Sequence, residues 1–179
     1  MNFNLDNLKY DFHIVGISES WLQETNKDCY DLENYRAEHN CRPNRTGGGV
    51  SLYIKQKIDY ELRNDLSYQN RNIESLFIEI DKNQLKNKQN VVVGVIYRPP
   101  NTDIHEFNEF LEDCLDKIKA EKKKAYLLGD FNINLLNSDQ HIPSKEFIDT
   151  LFSHSFMPFI TKPTRVTQKS ATLIDNIFL

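Results

Sequence analysis

An apolar run that ends on an acid and an amide is the part of this sequence best suited to chemistry. Residues 126–128 are apolar, and they are followed by Gly129, Asp130 and, two positions later, Asn132. Residues two apart on a strand point to the same side of a sheet, so Asp130 could act as general base or metal ligand while Asn132 orients a substrate oxygen. The simpler alternative is a strand that ends in an Asx turn.

Three further polar side chains lie at or near the ends of apolar runs. Glu19 could bind Mg²⁺ through its carboxylate, or it could be an edge glutamate in solvent. Tyr97 could offer its hydroxyl to a phosphate oxygen, or it could close the core before a Pro-Pro turn. Asp175 is an acid within an apolar strand, and a buried acid needs a partner. Strand ends meet at one rim of a sandwich, so these side chains and the Asp-x-Asn pair are expected in one site.

Periodicity predicts the elements that would position these residues. Strands are expected over residues 13–18, 50–54, 73–80, 91–97 and 173–179, and in the run that ends at Asp130. Helical spacing from Ile104 to Ile118 predicts a helix with Asp103 as N-cap, and Ser144 is expected to cap a second one. Residues 83–90 are expected to form a hairpin connection. The pattern predicts a layered α/β (α+β) sandwich of mixed and antiparallel sheets that pack on each other, flanked by helices.

Length and composition indicate one domain with an ordinary globular core. The chain has 179 residues, a net charge of −4 and three cysteines without metal-type spacing, which favours a reducing, intracellular setting. No apolar run approaches the roughly 20 residues that a membrane helix needs. The negative charge argues against binding nucleic acid by bulk electrostatics, although a local patch or bound metal ions could still hold a phosphate.

The order of the motifs resembles the endonuclease/exonuclease/phosphatase superfamily, and within it the apurinic-type endonuclease domain of non-LTR, LINE-like retrotransposon polyproteins. The resemblance covers nearly the whole chain. Its motifs are ISESWL at 17–22, GGGVSLYI at 47–54, VIYRPP at 95–100, GDFN at 129–132, PTR at 163–165 and TLID at 172–175. It implies a four-layered sandwich and metal-assisted hydrolysis of DNA phosphodiester bonds, such as target-site nicking.

Carried over residue by residue, the resemblance implies a role for each site residue. Glu19 would bind Mg²⁺ or Mn²⁺, Asp130 would position or deprotonate the attacking water, and Asn132 with Tyr97 would hold the scissile phosphate. Asp175 would hydrogen-bond a histidine. Thr164, Arg165 and Arg98 are further candidates for substrate contact. The implied partners are DNA, in the nucleus, and a reverse transcriptase domain in a longer polyprotein.

The sequence departs from the family pattern at both ends. The family carries a Ser-Asp-His motif after its Ile-Asp strand and an Asn-bearing first strand, whereas Asn2 and Asn4 are poor equivalents and His141 and His154 are expected to be surface residues. Residues 1–179 are therefore expected to form an incomplete domain, with residues 173–179 as an exposed edge that self-associates. The alternatives to a nuclease are a catalytically silent retroelement remnant, a small-substrate phosphatase and an unrelated α/β domain.

Overall fold

The computed structural model describes residues 10–42, 47–85 and 87–179. Over these residues the chain forms ten strands and two α-helices. The strands are β1 Ile14–Ser18, β2 Tyr35–Asn40, β3 Val50–Lys55, β4 Tyr60–Leu62, β5 Glu74–Ile80, β6 Val91–Tyr97, β7 Lys124–Asp130, β8 Arg165–Val166, β9 Ala171–Thr172 and β10 Asp175–Phe178. The helices are α1 Ile104–Ala120 and α2 Ile142–Ser153. None of the helices within the described residues is long and apolar enough to cross a membrane.

The larger sheet has the strand order β10-β7-β6-β5-β4. Strands β6 and β7 are parallel and are joined through α1, whereas the other neighbours are antiparallel. Strand β6 is a β-branched run buried along its whole length, as expected for a central strand covered on both faces. Strands β5 and β6 follow each other in the chain and pair in antiparallel fashion, which confirms the predicted hairpin connection.

The smaller sheet is antiparallel, with the order β1-β3-β2, and it covers one face of the larger sheet. Alternate residues of β3 point inward, namely Val50, Leu52 and Ile54, and they pack against alternate residues of β5 and β6. The pleat of β6 therefore sorts its side chains, because Val91, Val93, Val95 and Tyr97 face the smaller sheet.

Helices α1 and α2 cover the opposite face of the larger sheet. Helix α1 begins as predicted, with the Asp103 carboxylate accepting a hydrogen bond from the His105 N–H. Helix α2 has His141 as its N-cap, and the prediction of Ser144 as cap is wrong because Pro143 already occupies the first turn. The buried side chains under both helices form an aromatic cluster with Phe107, Phe131, Phe147 and Phe178.

The predicted sandwich of two packed sheets with helices is confirmed. Both α-helices lie on the larger sheet, while the 3₁₀ helix Lys27–Tyr30 is joined to the smaller sheet by a hydrogen bond from the Tyr53 hydroxyl to the Tyr30 carbonyl. Strands β2 and β4 and the short hairpin of β8 and β9 were not predicted.

The last strand is shorter and better covered than expected. Strand β10 pairs with β7 on one side, and on the other Met157 and Leu179 exchange two backbone hydrogen bonds of 2.9 and 3.1 Å. The Asn176 side chain bonds both the N–H and the carbonyl of Ile160. The expectation of an exposed edge at residues 173–179 is therefore wrong, because the segment 157–160 pairs with it.

Candidate active site

Strand register brings the predicted acids and the tyrosine into one row across the larger sheet. Tyr97 lies opposite Asp130 in the parallel pair of β6 and β7, and Asp175 lies opposite Asp130 in the antiparallel pair with β10. On the far side of Tyr97, the row continues to Glu74. Residues directly opposite each other share a face, so all four side chains lie on the side of the smaller sheet. We call these residues the tyrosine–carboxylate row.

Glu19 joins the row from the smaller sheet. It follows β1 in a left-handed conformation with φ of 55°, and its Oε1 accepts a hydrogen bond from the Tyr97 hydroxyl. Glu19 itself is exposed, so it is an edge glutamate in solvent, but one that is tied to the row. The turn after β1 is fixed by two backbone hydrogen bonds, from Ser20 N–H to Gly49 O at 3.0 Å and from Trp21 N–H to Gly48 O at 2.8 Å.

A buried ion pair supports this glycine turn. The Glu74 side chain is 0% exposed, and it accepts hydrogen bonds from the Arg42 guanidinium and the Gly49 N–H. Burial raises the pKa of Glu74 above its ordinary value, while the Arg42 and Gly49 bonds oppose that shift. Sequence analysis missed both residues, because Glu74 only looks like one polar residue at the start of an alternating strand.

Tyr97 is a hydrogen-bond donor held in its neutral form. Its residue surface is 2% exposed, and burial, followed by the hydrogen bond to Glu19, raises the pKa of the phenol above its ordinary value. The hydroxyl therefore keeps its proton at neutral pH and can donate to one oxygen at the rim.

Asp130 is a carboxylate with a raised proton affinity. Burial raises its pKa to about 6, and the negative charges of Asp175 and Glu19 add to that shift. The Asn132 N–H opposes it by donating to Asp130 Oδ1 at 2.9 Å. A carboxylate with a pKa near the working pH is well matched to taking a proton from water.

The segment after β7 is an Asx turn, as the simpler alternative predicted, and the functional interpretation of the Gly-Asp-x-Asn motif stays a prediction. Asn132 is in the left-handed region with φ of 48°, and its Nδ2 donates to the Arg98 carbonyl at 2.9 Å. The amide nitrogen is thus engaged with the backbone of the neighbouring strand. The contact of Asn132 with a phosphate stays a prediction.

Arg98, which was predicted to contact substrate, is buried and bonded to the backbone. It is only 3% exposed, and its guanidinium donates to the carbonyls of Phe131, Thr102 and Asn132 at 2.8, 2.8 and 2.6 Å. All three nitrogens are therefore used to clamp the strand ends beside Asp130. The structure gives Arg98 a structural role in place of the predicted one.

The remaining candidates lie beside Asp175. The Thr164 hydroxyl accepts hydrogen bonds from the Ile174 and Asp175 N–H groups at 3.3 and 3.2 Å, so it fixes the start of β10. Arg165 is exposed in β8. Asp175 is only partly buried, so it is not the fully buried acid that was expected. The substrate roles of Thr164 and Arg165 stay predictions.

The two candidate histidines lie in the helical layer. His141 is exposed, as predicted, and it is the N-cap residue of α2. The surface prediction for His154 is wrong, because its side chain is 7% exposed and its Nε2 lies 2.9 Å from Asp116 Oδ1 on α1. Within the part of the chain that the structure describes, no hydrogen bond joins a histidine to Glu19, Tyr97, Asp130 or Asp175. Asn2 and Asn4 lie outside the described residues.

The donor set suits a lightly coordinated hard cation. Across residues 10–42, 47–85 and 87–179, no three His, Cys, Asp or Glu side chains are grouped closely enough to hold a metal ion by themselves. Mg²⁺ keeps several waters and is commonly held by one or two carboxylates together with substrate phosphates. Glu19, with Asp130 and Asp175 close enough for their charges to interact with each other, fits that pattern.

Comparison with known proteins agrees with the resemblance seen in the sequence. A family model described as the endonuclease/exonuclease/phosphatase family matches residues 2–179. A search of curated protein sequences found no match.

Solved structures share the fold at low sequence identity. The endonuclease domain of TRAS1, a telomere-specific non-LTR retrotransposon, is 14% identical, with 93% of this chain and 71% of that one covered and a TM-score of 0.67. The apurinic endonuclease LMAP from Leishmania major is 8% identical, with 97% and 71% covered and a TM-score of 0.68. The 3′ phosphatase NExo from Neisseria, bound to a product DNA hairpin, is 15% identical, with 97% and 79% covered and a TM-score of 0.60.

Proposed function

Because this chain belongs to the endonuclease/exonuclease/phosphatase family, we propose that it hydrolyses phosphodiester bonds in DNA with the help of Mg²⁺ or Mn²⁺. In this proposal residues 1–179 form one catalytic domain that nicks target DNA for a retroelement, acting in the nucleus and joined to a reverse transcriptase domain. The observation that carries it is the tyrosine–carboxylate row, in which Asp130 has a pKa of about 6 beside a neutral phenol and next to Glu19.

Each side chain of the row has a role that its surroundings favour. Asp130 accepts a proton from the attacking water, which its raised pKa makes favourable near neutral pH. Tyr97 stays protonated, and its single O–H, which donates to Glu19 in this structure, would have to turn away from Glu19 to donate to a phosphate oxygen. Asp175, directly opposite Asp130, raises its proton affinity further. The Arg98 clamp keeps the ends of β6 and β7 in place.

A cation also has an electrostatic reason to bind here. Glu19, Asp130 and Asp175 concentrate negative charge where an anionic phosphate must approach. Glu19 would hold the ion. When bound, the positive charge of the ion offsets this repulsion and the negative charge that develops on the phosphoryl oxygens. The overall charge of −4 adds to the need for such a counterion.

The choice of DNA is supported by two of the similar structures. One is the endonuclease domain of a retrotransposon, and another was solved with a DNA hairpin. A small-substrate phosphatase is less favoured, because within the described residues no histidine is bonded to the row.

A catalytically silent domain is the second candidate. The observation that favours it is the same lack of a histidine bonded to Asp175 in the described part of the chain. Removing one donor that stabilises transition-state charge commonly costs about 100- to 1000-fold in rate. Such a domain would bind DNA and cut it slowly or not at all.

Plasmid nicking distinguishes the two candidates. The purified chain is incubated with supercoiled plasmid and Mg²⁺, beside an EDTA control, Asp130→Ala, and Asp149→Asn as a matched control that removes an exposed acid from α2. The nuclease proposal expects metal-dependent nicked circles with the chain and with Asp149→Asn, and none with Asp130→Ala. Nicking equal to that of Asp130→Ala would contradict it and favour the silent domain.

A further inference from the structure

The chain's single tryptophan is an exposed residue two positions after Glu19, which is bonded to the tyrosine–carboxylate row. Trp21 is 64% exposed, whereas its neighbour Leu22 is buried in the core. Tryptophan is highly buried on average, although single exposed apolar residues are common on protein surfaces. Exposure alone therefore indicates little, and the way in which the residue is held matters more.

The backbone holds Trp21 in an unfavourable conformation. Its φ is 57°, and Glu19, two residues earlier, has φ of 55°. The left-handed region is a genuine outlier for a bulky residue, and it persists only where surrounding contacts enforce it. Here the enforcing contacts are the hydrogen bonds from Ser20 N–H to Gly49 O and from Trp21 N–H to Gly48 O. The same turn thus fixes the backbone at both Glu19 and Trp21.

The glycine turn under the indole presents no side chains. A Cβ built on Gly47 would lie 3.9 Å from the indole Cε2, so the ring lies against the turn in ordinary contact. Because residues 47–49 are all glycine, the turn leaves the ring accessible while it supports the backbone. The buried Glu74 fixes the turn itself through the Gly49 N–H.

The backbone of Trp21 is close to that of Glu19 on the scale of nucleic acid. Two residues span at most about 7 Å, so the Cα atoms of Glu19 and Trp21 lie within that distance, and Glu19 is bonded to the Tyr97 hydroxyl. Successive bases along one strand are about 3.4 Å apart. A ring in this place can therefore reach a base within a few nucleotides of a phosphate at the row.

We propose that Trp21 stacks on an unpaired nucleobase flanking the scissile phosphate, which makes locally single-stranded DNA the preferred ligand of this face. This inference rests on the proposed function. Every base has a π face, so stacking tolerates different sequences, and its attraction does not come from the charge of the phosphates. It suits a chain with a net charge of −4, which gains little from bulk attraction to phosphate.

The first test is the affinity for single-stranded DNA, measured by fluorescence anisotropy with a fluorescein-labelled oligonucleotide in Mg²⁺ and low salt, with Asp130→Asn present in every chain so that the strand is not cut. The full chain is compared with Trp21→Ala, Trp21→Leu and Trp21→Phe. Phe152→Ala is the control, because Phe152 is an exposed aromatic on α2. We expect Kd to rise about 5- to 150-fold in the Ala and Leu variants and to stay within about twofold in the Phe and control variants.

The second test uses the tryptophan as its own reporter. The indole emission of the unsubstituted chain should be quenched by the oligonucleotide, and an abasic sugar-phosphate strand of the same length should leave it unchanged. This measurement needs no substitution, so it stays decisive even if a Trp21 variant fails to fold.

Several results would overturn the inference. These are wild-type affinity in folded Trp21→Ala, full affinity in Trp21→Leu, which would indicate simple apolar contact, or equal quenching by the abasic strand. Plasmid nicking separates this failure from that of the proposed function. If the chain nicks in a metal-dependent way and the Trp21 variants bind DNA as well as it does, only the inference is overturned. If the chain neither binds nor nicks DNA, both the inference and the proposed function are overturned.

Discussion

Replacing Asp130 by Asn should stabilise the fold at neutral pH while it abolishes nicking. The substitution removes the charge but keeps an oxygen that can accept the Asn132 N–H, so the Asx turn is retained. Asp130 ionises with difficulty because it is partly buried and lies near Asp175 and Glu19. The folded state therefore holds this carboxylate at a cost in free energy that the neutral amide does not have.

The magnitude follows from the shift in pKa. A rise from 3.8 to about 6 corresponds to about 2 units, or ~3 kcal/mol of free energy of unfolding. The carboxylate is partly open to solvent, and screening reduces this to about 1.5 kcal/mol. For a chain of this length, that difference is about 3 to 6 °C in Tm.

The sign and the pH window are set by the two pKa values. The pKa of Asp130 is higher in the folded chain than in the unfolded one, so ionisation of Asp130 lowers the free energy of unfolding. This loss is complete above pH 6 and absent below pH 3.8. The gain in free energy of unfolding from Asp130→Asn should therefore be largest at pH 7 to 8 and should vanish as the pH falls towards 4. Comparing the two chains at each pH cancels the titration of the groups that do not interact with Asp130.

Urea unfolding of the chain and of Asp130→Asn in EDTA, at pH 4.5, 6 and 8, measures this difference. Asp149→Asn is the control for removing one exposed negative charge. If Asp130→Asn were no more stable than the unsubstituted chain at pH 8, the claim that the ionised Asp130 carboxylate destabilises the fold would be refuted.

Three further substitutions test how the site is supported. Glu74→Ala leaves the Arg42 guanidinium without its buried partner and should lower the free energy of unfolding by about 3 to 5 kcal/mol, measured in urea. Gly129→Ala should destabilise by about 3 kcal/mol or more by the same measurement, because its Cβ would lie 1.8 Å from the Ile96 carbonyl oxygen. Arg98→Met should cost about 3 kcal/mol, since three backbone carbonyls lose a charged donor; the loss should appear as a lower Tm.

Each of these has a matched control. For Glu74→Ala it is Asp113→Ala, which breaks an exposed pair with Lys117 and should cost less than about 1 kcal/mol. For Gly129→Ala it is Gly16→Ala, whose Cβ would have no contact shorter than 3.5 Å. Arg71→Met, at an exposed arginine, is the control for Arg98. Equal effects in a variant and its control would contradict the proposed support.

The parts of the fold with strong local patterns could be predicted from the sequence. Strand β6 is a continuous β-branched run, and α1 repeats apolar residues at helical spacing from Ile104 after a capping Asp103. Strand β2 could not be predicted in this way. It is largely polar because it is an edge strand of the smaller sheet, and its partner β3 supplies the apolar side chains.

The residues that line the candidate site could be predicted from the sequence, but the residues that hold them in place could not. Acids at the ends of apolar runs predicted that Asp130, Tyr97 and Asp175 would meet, and strand register places them in one row. The roles of Glu74 and Arg98 depend on contacts with residues more than 20 positions away, which no local pattern encodes. The same reason explains why His154 was predicted to be exposed, since its partner Asp116 lies on the other helix.

The rate of plasmid nicking as a function of pH tests the central claim most directly. With Mg²⁺ held constant, the account predicts a rate that rises about tenfold per pH unit in the acid range and levels off as Asp130 becomes fully ionised, at or below pH 6 because a bound cation lowers the pKa of a nearby carboxylate. Asp130→Asn should show no nicking at any pH. Nicking by Asp130→Asn at the rate of the unsubstituted chain would contradict the role of Asp130 as the base.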